Sequence, residues 1–95
     1  MTDKFQQEIL ERAKPDMLKR LRRIEGQARG LQRMIDEGRD CEDVIMQVAA
    51  LKAAVEQVGI TMVGCLLESA IRQTVEQGTN TDQAIEAAKK LLTSL

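Results

Sequence analysis

The chain has 95 residues, 43% of them apolar, and its single aromatic residue is Phe5. A chain of this length forms one small domain and buries about two thirds of its unfolded surface. The net charge is −1. The sequence has no histidine and no tyrosine, and this absence excludes a histidine-centred catalytic triad, a histidine-rich zinc site and a tyrosine acid/base.

The chain begins with an N-terminal extension, residues 1–13, which is either helical or disordered. The first predicted helix spans about residues 15–37, because Pro15 suits the first turn of a helix. Apolar residues then recur from Met17 to Ile35 in steps of three and four, which is the helical period. Gly38 ends this helix.

Two further helices are predicted, over about residues 41–76 and 82–94, so the fold class is all-α in a single domain, residues 1–95. The second carries an apolar stripe from Cys41 to Ser69 and would be roughly 54 Å long. A first helix over about residues 15–37 and a short tail cannot cover so long a stripe. We therefore expect assembly into at least a dimer.

Charge is unevenly distributed along the chain. Residues 14–33 contain seven basic and two acidic side chains, a local charge of +5 that the acidic remainder hides. On a helical projection, five of the basic residues lie opposite the apolar stripe. They are Lys19, Arg22, Arg23, Arg29 and Arg33.

Two glycines lie among these basic residues. Gly26 and Gly30 are one helical turn apart, and each costs about 1 kcal/mol relative to alanine inside a helix. A missing side chain allows close approach to the backbone, and a phosphate backbone held by guanidinium groups is the natural candidate. The alternative is a solvated basic face, or one that docks an acidic protein.

The two cysteines indicate a reducing, cytoplasmic setting rather than a disulfide framework. Cys41 and Cys65 share the stripe of the second helix, roughly 36 Å apart. They could meet only across an antiparallel pair of these helices, Cys41 of one subunit beside Cys65 of the other. The alternative is that each packs as a small apolar side chain.

Neither a targeting sequence nor a membrane segment is expected. The first twelve residues include Asp3, Lys4, Glu8 and Glu11, unlike a signal peptide. The longest uncharged run, residues 57–67, has 11 residues, whereas a membrane span needs about 20.

The run from Arg20 to Ile35, RLRRIEGQARGLQRMI, followed by Cys41-Glu-Asp-Val-Ile and Gln47-Val-Ala-Ala-Leu, resembles the copper-sensitive operon repressor (CsoR/RcnR) family over about residues 16–92. The resemblance implies a three-helix protomer, an antiparallel four-helix dimer and a flat tetramer. It also implies that the protein represses transcription by binding operator DNA, and that it leaves the DNA when an effector occupies a site between subunits. Family DNA contacts match Arg20 and its neighbours, and Lys52 is a further candidate.

The sensor of this family is incomplete here. Cys41 matches the first family thiol, but Leu66 and Ala70 stand where copper sensors have histidine and cysteine. A persulfide-sensing branch also places its second thiol at the position of Ala70. Cys41 and the displaced Cys65 are the remaining candidates, either as an oxidised or sulfur-bridged pair between subunits or as a two-sulfur Cu(I) site.

The sequence therefore predicts a DNA-binding repressor with an intersubunit thiol sensor, and not an enzyme. The effector, a reactive sulfur species or oxidant or Cu(I), stays open, and no cofactor is certain. The alternatives are a helical interaction module and a family member that has lost sensing. The predicted DNA-binding residues are Lys19, Arg20, Arg22, Arg23, Gly26, Arg29, Gly30, Arg33 and Lys52.

Overall fold

The computed structural model describes residues 4–95, which form three helices joined by two short turns. Helix α1 spans Lys4–Asp36, α2 spans Cys41–Gln77 and α3 spans Asp82–Thr93. The predicted all-α, three-helix protomer is confirmed. The predicted limits of α2 and α3 agree with the structure to within one residue.

Helix α1 starts earlier than predicted, so the predicted start at Pro15 is wrong. Pro15 lies inside the helix, although it removes one backbone hydrogen bond there. Packing explains the longer helix: Ile9 is 4% exposed, and Arg12 donates a 2.7 Å hydrogen bond to Glu68 of α2. The extension is therefore helical from Lys4, and its first three residues lie outside the described part of the chain.

The breaks between the helices use glycine and asparagine. Gly38 has a φ of 70°, and the bonds from Gly38 N–H to the Ile35 carbonyl and from Arg39 N–H to the Met34 carbonyl form a Schellman motif. Gly78, with a φ of 69°, follows α2 in the same left-handed conformation. The Asn80 side chain accepts a 2.8 Å hydrogen bond from the Asp82 N–H, an Asx turn that precedes α3; Thr81, the N-cap residue, makes no side-chain capping bond.

The chain forms two compact units. The hairpin unit is Asp16–Val58, which contains the rest of α1, the turn and the first half of α2. The three-helix unit contains α1 up to Pro15 together with Gly59–Leu95. The single domain expected over residues 1–95 stays a prediction.

Few large side chains are buried within the protomer. Among the described residues, the buried apolar ones are Ile9, Met17 and Ala88, while Met46 is 69% exposed and Val75 is 80% exposed. The apolar stripe of α2 therefore stays largely open, even though α1 is longer than predicted. By length and composition α2 could also cross a membrane, a criterion that core helices of soluble proteins meet as well.

Candidate functional site

The hairpin unit separates charged from apolar side chains around α1. Met17 is buried, and Ile24, Ala28 and Leu31 are half-buried. Burying a guanidinium or ammonium group is costly, so cations stay in water when the other side of the helix packs. The basic strip, as we call the five predicted cations opposite this packed side, is exposed throughout: Lys19, Arg22, Arg23, Arg29 and Arg33.

Two further predicted DNA contacts pair with acids of the same helix. The Arg20 Nε donates a 2.9 Å hydrogen bond to Asp16, and the Lys52 Nζ lies 4.0 Å from a carboxylate oxygen of Glu56. Exposed pairs of this kind contribute about 0–1 kcal/mol, so a phosphate group can replace the carboxylate. Asp16 is one of the two acids counted within residues 14–33, and its spacing of four residues from Arg20 is a signal of this pair that the sequence already contains.

No packing contact among the described residues requires glycine at positions 26 and 30 of α1. A Cβ atom built on Gly26 or Gly30 has no neighbouring atom within 4 Å. Neither glycine has a positive φ, unlike Gly38 and Gly78. Alanine would therefore fit at both positions, and the space beside the backbone is open for a molecule from outside.

Cys41 is a free, exposed cysteine and the first residue of α2. It borders an open depression of about 310 Å³ in the hairpin unit, together with Ile35 and Val44. Two acidic residues, Glu42 and Asp43, follow Cys41 in the first turn of the helix. The thiol is accessible to a soluble reagent.

Cys65 differs from Cys41 in its surroundings. It is free and half-buried, and it belongs to the three-helix unit, whereas Cys41 belongs to the hairpin unit. Leu66 and Ala70 are both half-buried. Within residues 4–95 no group of three or more cysteine, aspartate or glutamate side chains is placed to hold a metal ion.

An ion cluster that sequence reasoning missed joins α1 to α2 in the three-helix unit. Glu68 accepts hydrogen bonds from Arg12 at 2.7 Å and from Arg72 at 3.1 Å. The Arg12 guanidinium, assisted by Arg72, holds the pKa of the Glu68 carboxyl below its ordinary value. Only the spacing of Glu68 and Arg72, four residues on one helix, was visible in the sequence.

The described residues thus form an all-helical protomer with a strip of exposed cations on one helix and a free thiol at the start of the next. Residues 13–94 match the family model of the metal-sensitive transcriptional repressors. The chain therefore belongs to this family, whose members are repressors rather than enzymes.

Two relatives illustrate the similarity. The chain is 38% identical over 65 residues to the copper-sensing transcriptional repressor RicR of Mycobacterium tuberculosis, covering 68% of each chain. It is 33% identical over 72 residues to the copper-sensing transcriptional repressor CsoR of Bacillus subtilis, covering 76% of this chain and 70% of the relative. No solved structure matches the chain significantly.

The Glu68 cluster predicts a specific dependence of stability on pH. A carboxyl whose pKa is lowered by folding stabilises the fold above its unfolded pKa, and this contribution is lost as the pH falls through the folded value. We expect Glu68→Gln to have a lower urea midpoint of unfolding than the wild type at neutral pH. The difference between the two midpoints should shrink as the pH falls into the acid range. Glu8→Gln is the control in the same unit. A difference in urea midpoint that stays constant through the acid range would contradict this stabilising role of the Glu68 carboxylate.

Proposed function

We propose that the protein is a cytoplasmic repressor that binds double-stranded operator DNA through the basic strip of α1. The observation that carries this proposal is the exposure of all five strip cations opposite the packed side of the helix. Arg20 and Lys52 supplement the strip by exchanging their carboxylate partners for phosphate. Binding is driven mainly by the release of counterions from the duplex.

Gly26 and Gly30 let the duplex approach the helix closely. They lie among Arg23, Arg29 and Arg33, with open space where their side chains would be. A duplex that reaches the α1 backbone brings its phosphates within reach of arginines on both sides of the glycines, because a guanidinium can hold a phosphate through two hydrogen bonds. Such contacts position the DNA without reading its bases.

Assembly into a homodimer, and into a dimer of dimers, is part of this proposal. The exposed apolar residues of α2, with Ile45 at 65% and Val55 at 51%, form a larger apolar surface than a soluble monomer normally exposes. A second copy that covers this surface also brings a second basic strip into the same particle. Two linked strips bind one duplex more tightly than either does alone.

Release from DNA is proposed to start at Cys41, with Cys65 of the partner subunit as the second thiol. The exposure of Cys41 at the start of α2 supports this role. Two thiolates can hold Cu(I) linearly, since Cu(I) prefers soft sulfur ligands, and an oxidant or a reactive sulfur species can join them covalently. Either link would favour an arrangement with weaker DNA binding, by a coupling free energy of typically 1–3 kcal/mol.

Arginine substitutions in the strip test the proposed DNA interface. We expect Arg23→Ala and Arg20→Ala to weaken binding to double-stranded operator DNA, and each to reduce the salt slope by about 0.9. The assay is a gel shift over a salt series, and sedimentation verifies the assembly state. Lys89→Ala, which removes one exposed cation of α3, is the control. Affinity unchanged in both arginine variants would refute the interface.

Glycine substitutions test whether the duplex approaches the α1 backbone closely, without changing the charge of the basic strip. We expect Gly26→Ala and Gly30→Ala to stabilise the fold, by about 1 kcal/mol each, and yet to weaken DNA binding while the salt slope stays unchanged. The measurements are urea unfolding and the same gel shift. Gly64→Ala is the control, because Gly64 of α2 also has open space beside it. Wild-type DNA affinity in both variants would show that the duplex does not approach this backbone.

The thiol switch is tested by gel shift with three reagents: Cu(I), a persulfide donor and formaldehyde. We expect Cu(I) or the persulfide to release DNA from the wild type but not from Cys41→Ala. Non-reducing mass spectrometry distinguishes a covalent link between subunits from a metal complex, and Cys65→Ala tests the second thiol. If the reagents released DNA from Cys41→Ala as well as from the wild type, the role of Cys41 would be refuted. Retention of DNA by the wild type under every reagent would favour a sensing-defective repressor.

A further inference from the structure

Helix α1 continues through a proline, which weakens the helix at that point. Pro15 lies inside the helix and is exposed. Because proline has no backbone N–H, it cannot donate the helical hydrogen bond to the carbonyl of Glu11, four residues earlier, and its ring crowds that carbonyl. Pro15 is also the last α1 residue of the three-helix unit. We call residues 4–14, the part of α1 before this proline, the N-terminal arm.

The N-terminal arm depends on docking for its helical structure. It is shorter than the ~12–15 residues that an isolated helix needs in water. Within residues 4–14 only Ile9 is buried, at 4% exposure. Arg12 adds its hydrogen bond to Glu68, but exposed ion pairs contribute little to stability. Loss of the Ile9 contact would therefore both detach the arm and unfold it.

The docked arm borders the second thiol. Gln6 and Leu10 of the arm line one groove of the three-helix unit together with Cys65 of α2. Cys65 is half-buried in this arrangement, whereas Cys41, in the hairpin unit, is exposed. A reagent must reach the sulfur atom to react with it. Detachment of the arm removes one wall of the groove, so the Cys65 sulfur becomes more accessible.

Most of the arm lies outside the region shared with the family. Residues 4–12 precede the family match, which begins at residue 13. Cys65 is next to Leu66, the position where the resemblance places a metal-binding histidine. A segment outside the family region and the displaced thiol thus line the same groove.

We propose that the N-terminal arm is a hinged cover that controls access to the thiol of Cys65. The docked arm shields the sulfur atom, and the arm detached at Pro15 leaves it open to a soluble reagent or to Cys41 of the partner subunit. The proposal deepens the thiol switch, and its regulatory consequence rests on that proposed function: a docked arm slows the link between the two thiols. Access to Cys65 is measured without DNA, so the two proposals can fail separately.

Labelling of the two thiols tests the cover in the reduced, full-length protein. N-ethylmaleimide is the reagent, and peptide mass spectrometry gives the labelling rate of each cysteine. We expect Ile9→Asp, which removes the buried anchor, to speed labelling of Cys65 about threefold or more by local opening, and to leave the Cys41 rate unchanged. Gln7→Asp, which places the same charge at an exposed position of the arm, is the control and should keep both wild-type rates.

Pro15→Ala tests the hinge in the opposite direction. Alanine restores the N–H donor for the Glu11 carbonyl and favours a continuous helix. We expect labelling of Cys65 to slow about twofold, and hydrogen exchange of the arm amides to slow with it, because both report the same local opening. This variant keeps the proposal falsifiable even where Ile9→Asp no longer unfolds cooperatively in urea.

Three outcomes would overturn the proposal. The first is a Cys65 rate in folded Ile9→Asp equal to that of the wild type, and the second is unchanged or faster Cys65 labelling in Pro15→Ala. Sedimentation at the labelling concentration supplies the third. If faster Cys65 labelling in Ile9→Asp accompanied a loss of assembly, the partner subunit rather than the arm would cover the thiol.

Discussion

The separation of side chains around helix α1 is the constraint on which the proposed activity depends. One side of the helix packs in the hairpin unit through Met17, Ile24 and Leu31, which leaves the cations on the other side in water. A net charge of −1 therefore coexists with a local surface that attracts a polyanion. Because the helix is already ordered, the spacing between the backbone positions of its arginines is set before DNA arrives, and little backbone entropy is lost in forming the contacts.

A second constraint is the small number of buried side chains. The protomer leaves large apolar residues of α2 such as Ile45 and Met46 exposed, so its helices carry more apolar surface than three helices of this length can cover. Covering that surface with another copy would stabilise both protomers. It would also give a sensor a route to the DNA, since a change in how α2 packs on its partner changes the spacing between the basic strips.

The two thiols lie in environments that favour different chemistry. Cys41 is exposed at a helix start, where water-soluble ions and oxidants reach it, whereas Cys65 is half-buried beside an apolar groove. Family membership is secure over residues 13–94, yet Leu66 and Ala70 provide no ligand for copper. The chain thus belongs to the repressor family, while the two positions that the resemblance assigns to copper ligands carry apolar side chains.

The sequence by itself determined the class of fold, the limits of α2 and α3 and the basic strip, because these follow from local rules: the helical period, glycine at helix ends and the sign of neighbouring charges. Only the tertiary structure decided the start of α1, the Arg12–Glu68 ion pair and the groove around Cys65. Each of these depends on side chains more than fifty residues apart in the chain, such as Arg12 and Glu68, separated by 56 positions. The sequence places Pro15 at a helix start by its local preference, but long-range packing of Ile9 and Arg12 outweighs that preference and carries the helix back to Lys4.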